Sequence, residues 1–151
     1  MKSSAQLLLK IQNEFCGEII KKNIDGISHE ESMVFPNGEA NCINWIFGHL
    51  IFVRNELLEM LGEKPVWKNS DFAFYERGVI PLDHVEKFLE FDHLKIYFEE
   101  SQTRLQSAFE KQKDVPAEKM SDFAALSLHE IYHSGQLGYV RRLLGKEGAI
   151  K

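Results

Sequence analysis

Apolar residues fall into four stretches with a helical repeat. Leu7, Leu8, Ile11, Phe15, Ile19 and Ile20 recur at three- and four-residue intervals, the spacing that gathers side chains on one face of an α-helix. They predict a first helix from Ser4 to Ile24, stopped by Asp25-Gly26, with Gly17 marking close contact to a neighbour. Ser28-His29-Glu30-Glu31 can form a short helical turn, and Pro36 with Asn37-Gly38 signals turns. A second helix is predicted from an Asn41 N-cap to Leu61. Its apolar stripe of Ile43, Ile46, Phe47, Leu50, Val53, Leu57, Leu58 and Leu61 is opposed by Arg54, Asn55, Glu56 and Glu59. A third helix is read from an Asp83 cap to Lys111, on Val85, Phe88, Leu89, Leu94, Phe98, Leu105 and Phe109. After Pro116 a fourth begins at a Ser121 or Asp122 cap and reaches Leu144 before Gly145.

Between the second and third helices, residues 63–82 carry Pro65, Gly78 and Pro81 among Trp67, Phe72, Phe74 and Tyr75, with no sustained period. That is long for an unstructured connection in a small domain. An extended linker of this size can return along a helix of about 20 residues, roughly 30 Å, so helices two and three can run parallel. Its aromatic residues then cap an end or side of the bundle, or form a lid. No alternating strand pattern survives. The expected fold class is all-α, a four-helix bundle, in one domain spanning residues 1–151, because a second core would leave each half small for independent folding.

Composition narrows the partners. The chain is 44% hydrophobic and 27% charged, with a net charge of −5 and its basic residues scattered among acidic ones. That balance speaks against nucleic acid and against a membrane surface. Arg141, Arg142 and Lys146 cluster at a predicted helix C-terminus, where they compensate the helix dipole. Met1 to Gln12 lacks the features of a secretory leader, and no run of 18 apolar residues is present. The expectation is a cytoplasmic protein in which Cys16 and Cys42 are reduced, buried thiols.

The chemistry is expected in the segment Leu128-His129-Glu130-Ile131-Tyr132-His133-Ser134-Gly135-Gln136-Leu137. His129 and His133 stand one helical turn apart, so their imidazoles can converge on one metal ion. The pair is a weak signal by itself, and a third ligand must come from elsewhere. His49, among Trp45, Ile46, Phe52 and Val53, has the ordinary reading of a hydrogen-bonded core residue on these grounds alone; His84 and His93 read as surface or interhelix residues. Glu130 can flank the site as a general base or face solvent and outer contacts. Gln136 and Tyr132 are candidates for supporting or substrate contacts, or for packing, and Gly135 and Gly138 permit close helix approach. His129-Glu130 and His133 also match the HExxH signature of zinc peptidases. Only 18 residues follow His133, Tyr139 stands where the metzincin type has its third histidine, and no strand is available to align a peptide.

The segments Asn44-Trp45-Ile46-Phe47-Gly48-His49-Leu50-Ile51 and His129 to Leu137, in this order and separation, resemble the DinB/YfiT-like superfamily of metal-binding four-helix bundles, and the likeness covers nearly the whole chain. The resemblance implies an up-down-down-up bundle, a homodimer, and a three-histidine site of His49, His129 and His133. Three neutral imidazoles suit zinc or nickel and leave a position open. It further implies an enzyme activating a low-molecular-weight thiol or water against a small-molecule substrate, as a thiol transferase or hydrolase; the catalytic candidate, Glu130, comes from its place on the helix beside His129 and not from the resemblance. The alternatives are a non-catalytic, metal-stabilised dimer serving stress response or interaction, and an HExxH metallopeptidase.

Overall fold

The computed structural model describes residues 4–111 and 113–150. Residues 1–3, part of the stretch read as lacking a leader, lie outside them. The described residues form α1 (Ser4–Ile24), α2 (His29–Ser32), α3 (Ile43–Met60), α4 (Phe91–Glu110) and α5 (Met120–Leu143), joined by short 3₁₀ turns and without a strand. Among them no helix is long and apolar enough to cross a membrane.

The helix starts follow local chemistry. At α2, Ser28 Oγ accepts from Glu31 N at 3.1 Å while Glu31 Oε2 accepts from Ser28 N at 2.8 Å, a reciprocal cap that makes a four-residue helix viable. Three expected caps are displaced. Cys42, not Asn41, holds the N-cap position of α3 and gives no side-chain bond. Pro81 opens a separate 3₁₀ segment, Pro81–Lys87, that contains Asp83, and extended Phe88 separates it from α4. Ser121 and Asp122 lie inside α5, which starts at Met120 behind the turn Ala117–Lys119.

Side-chain pairings give the helix directions. Phe47 meets Phe91 and Phe98 with ring centroids 5.5 and 5.0 Å apart, and Arg54 reaches Ser101 and Gln102, so α3 and α4 run the same way. Gln102 donates to Asn13 at 3.3 Å and Lys21 pairs with Glu99 at 3.0 Å, so α1 opposes α4. His49 lies against His133 and Arg54 against Glu130, so α5 opposes α3. Gln6 donates to Val115 O just ahead of α5, Asn23 to Ser134 O, and Arg141 to the carbonyls of Asn23 and Asp25, so α1 accompanies α5. Arg141 therefore clamps the C-terminal end of α1 in addition to meeting a helix dipole.

The core divides in two. One cluster includes Cys16, Ile20, Phe47, Leu50, Phe98 and Leu137; the other includes Leu9, Leu57, Leu105, Phe109 and Phe123. On each long helix a buried polar residue separates them: Asn13, Arg54, Gln102 with Ser101, and Glu130. Arg54, expected on the solvent side of its helix, is 0% exposed, and Glu130 is 1% exposed. Arg54 Nε donates to Glu130 Oε1 at 2.5 Å and its Nη1 to Gln102 Oε1 at 2.7 Å, while its guanidinium lies 4.0 Å over the Phe98 ring. Burial is tolerated because the charge is paired and most of its donors are satisfied. Gly17 gives Gln102 its room, since a Cβ there would stand 2.2 Å from Gln102 Oε1.

That polar layer also turns α1. Gln6, Asn13 and Asn23 take buried positions with Leu9, Cys16 and Ile20, whereas Leu7, Leu8, Ile11 and Phe15 are exposed. The buried side is selected by available hydrogen-bond partners as well as by hydrophobicity.

Candidate metal centre

The site is prepared by α3 and the linker folded against it. Asn44 donates to Leu89 O at 2.9 Å and accepts from the Tyr75 hydroxyl at 2.9 Å, and that hydroxyl accepts from Leu89 N at 3.0 Å. Trp45 Nε1 donates to Phe74 O at 2.9 Å. At Gly48 an added Cβ would lie 2.4 Å from the Tyr75 ring, so the absent side chain admits Tyr75 to full burial. Below this, Asn55 donates to Trp67 O and Asn69 and accepts from Val66 N. The linker aromatics thus line one side of the helical core. They include the buried Trp67 and Tyr75 and the partly buried Phe72 and Phe74.

With the linker fixed, the Tyr75 carbonyl stands 2.7 Å from His49 Nδ1. A carbonyl has no proton to give, so Nδ1–H donates and Nε2 keeps its lone pair. Trp45 stacks on the same ring, with centroids 4.9 Å apart and planes within 5°. On α5, His133 Nδ1 lies 2.7 Å from Gln136 Oε1, and Gln136 Nε2 donates to the Tyr132 hydroxyl at 3.1 Å. This arrangement likewise frees His133 Nε2.

The three Nε2 atoms converge. His129 Nε2 is 3.3 Å from that of His49 and 3.0 Å from that of His133, and all three residues present ligand atoms within 4.8 Å of one another. Nitrogens about 2.0–2.1 Å from a shared tetrahedral ion stand about 3.3 Å apart. His129, when neutral, brings one proton. On Nε2 it can satisfy only one neighbour. On Nδ1, a buried atom without a hydrogen-bond partner among the described residues, it leaves all three lone pairs facing one point. Either way the centre is electron-rich, and a cation fits it. Tyr75 O and Gln136 hold the second ring nitrogens of His49 and His133 as partners commonly hold those of metal-binding histidines.

Electrostatics keep the rings neutral. Burial, with the charges of His129 and Arg77, pushes His49 down to about 4 despite its carbonyl partner. Burial and the neighbouring His129 and His49 push His133 down to about 4. His129 is also lowered, by burial and then Arg77. Unprotonated imidazoles are the form that binds metal.

His49 and His129 open onto a cleft of about 320 Å³, also lined by Phe52, Val53, Glu56, Glu76, Arg77, Ala125 and Leu126. Burial, followed by the charges of Glu59 and Glu76, raises the Glu56 carboxyl. Glu130 turns away from solvent into the Arg54 ion pair and is absent from the converging group. Gly138 has Asn23 3.3 Å from a would-be Cβ, whereas Gly135 has no neighbour within 4 Å and makes no close approach. Tyr75, Asn44 and Arg77 were not singled out as site residues from the sequence. A backbone carbonyl acting on a histidine has no residue-type signature, although the aromatic density of residues 63–82 marked the segment.

No family model matches the chain, and no curated protein matches it either.

Proposed function

We propose that the protein is a divalent-metal-dependent enzyme, an up-down-down-up four-helix bundle of the DinB/YfiT-like kind, that transfers a thiol to, or hydrolyses, a small-molecule substrate. The observation carrying this reading is the convergence of three Nε2 atoms from His49, His129 and His133, two of them with Nδ1 already committed to an acceptor. Zinc or nickel held there supplies a Lewis acid that activates a low-molecular-weight thiol or water. The protein's part is to hold the rings: Tyr75 O and Gln136 orient two of them, and Trp45 covers a face of His49. Phe52, Val53, Ala125 and Leu126 limit water on the cleft side.

The family assignment is supported by the helix pairings, by the linker that lets α3 and α4 run together, and by the joint use of Asn44, Trp45, Gly48 and His49 in one device. A homodimer belongs to the same reading. Leu8, Ile11 and Phe15 on α1, with Leu128, Ile131 and Tyr132 on α5, are exposed apolar residues such an interface would cover. The free, buried Cys16 and Cys42 suit a reducing, cytoplasmic setting.

Elemental analysis of tag-free protein tests the centre. The expected result is close to one divalent ion per chain, falling sharply in His49→Ala. Wild type that neither carries nor takes up zinc or nickel refutes it. Turnover of electrophiles with cellular thiols, lost in folded His133→Ala, separates an enzyme from the non-catalytic, metal-stabilised dimer. The HExxH peptidase reading is disfavoured because Arg54 occupies the Glu130 carboxylate and no strand is present among the described residues to receive a peptide.

A further inference from the structure

We infer that Arg77 binds an anionic group of the substrate beside the three histidines, so that the cleft selects small molecules carrying one carboxylate on a short apolar stem. The inference rests on the metal-centre reading and deepens it.

Arg77 follows two residues after Tyr75, whose buried ring, doubly bonded hydroxyl and His49-bound carbonyl fix the backbone where the linker passes the site. From there its side chain lines the same cleft as His49 and His129. Arg54, Arg104 and Arg141 are bound to protein acceptors. Arg77 is exposed and has no hydrogen bond or ion pair with any described residue. An unpaired cation and two of the three histidines thus share one cleft.

A guanidinium presents a planar fork that matches a carboxylate through two parallel N–H donors, and an arginine cannot lose its charge at neutral pH. Glu56 and Glu76 line the same cleft and form no ion pair with Arg77. A second negative charge on a ligand would meet them, which favours one carboxylate over two. Phe52, Val53, Ala125 and Leu126 supply apolar wall for a short carbon chain, and about 320 Å³ admits a small metabolite.

Calorimetric titration of zinc-loaded wild type and Arg77→Gln with 3-mercaptopropionate, 2-mercaptoethanol and mercaptosuccinate tests the inference. Wild type should bind 3-mercaptopropionate about tenfold more tightly than 2-mercaptoethanol, an order typical of one charge-assisted pair in a partly screened site. Mercaptosuccinate should gain nothing further. In Arg77→Gln the preference should collapse to about unity, with zinc content unchanged and the 2-mercaptoethanol constant nearly unmoved; Arg77→Lys should restore part of it. A variant that retains zinc and keeps the wild-type preference overturns the role of Arg77 and leaves the metal centre standing. Equal weakening of all probes overturns it too, as the mark of a structural residue. A wild type that loads neither zinc nor nickel removes both readings.

Discussion

The polar layer between the two core clusters makes a sharp prediction about charge. Replacing Glu130 with Met leaves Arg54 buried at 0% exposure, with no carboxylate and only Gln102 and Ser101 as acceptors. Arginine cannot shed its proton, so the cost should be the full penalty of an unpaired buried charge, about 3–5 kcal/mol. That is a large share of the roughly 5–15 kcal/mol that holds a domain of this size folded. Arg54→Met differs because a lone carboxyl can neutralise itself. In that variant the charged form of the unpaired buried carboxyl is the costly one, so the deficit should be larger at pH 8 than at pH 5. Replacing both by Met removes the two charges together and should cost less than the sum of the single changes by about 2 kcal/mol or more, with Gln102 Oε1 and Ser101 Oγ left without their Arg54 donor. Urea melts of chelator-treated protein at pH 5 and 8 measure all four corners. If Glu130→Met lies within 1 kcal/mol of wild type, or the two substitutions simply add, the pair is not the buried salt bridge argued for.

Two further outcomes concern the histidines. Gly48→Ala should drive a methyl group into the Tyr75 ring, costing about 1–3 kcal/mol as overpacking, and loosen the carbonyl on His49 enough to weaken zinc binding about 10- to 100-fold; unchanged affinity in competition with a chelator would separate Tyr75 from the centre. The metal-free protein should lose stability as pH falls. His49 and His133 are held down to about 4, so between the unfolded value of about 6.5 and that point the unfolded chain binds more protons. Each group then removes at most about 1.4 kcal/mol per pH unit, and a stability curve flat from pH 7 to 4.5 would contradict their neutral burial.

Helix existence was legible because four apolar stretches repeat at helical spacing, and α1 keeps the Ser4 to Ile24 limits read from that pattern. Its orientation was not. Periodicity placed Leu7, Leu8, Ile11 and Phe15 inward, yet Asn13 and Asn23 find partners across the interior and take α1 with them. A partner 89 or 111 residues away leaves no trace in a local pattern. Arg54 misled for the same reason: alone it reads as solvent-facing, and only Glu130, 76 residues on, makes its burial tolerable. For the site, His129 and His133 were visible through spacing. His49 was singled out by resemblance, since one histidine on an apolar face has no spacing to read.

The linker changes what the site is made of. Its length was explained by the need to return so that α3 and α4 can run together, a purely topological use. The contacts require more of it. Tyr75 reaches the interior because Gly48 lacks a side chain, and it carries the carbonyl that fixes the His49 tautomer. Arg77, two positions later, puts the positive charge in the cleft. A shorter connection with the same helix directions would lose both, so the segment with the least periodicity governs two properties at once: which His49 nitrogen faces the other two histidines, and which charge lines the cleft beside them.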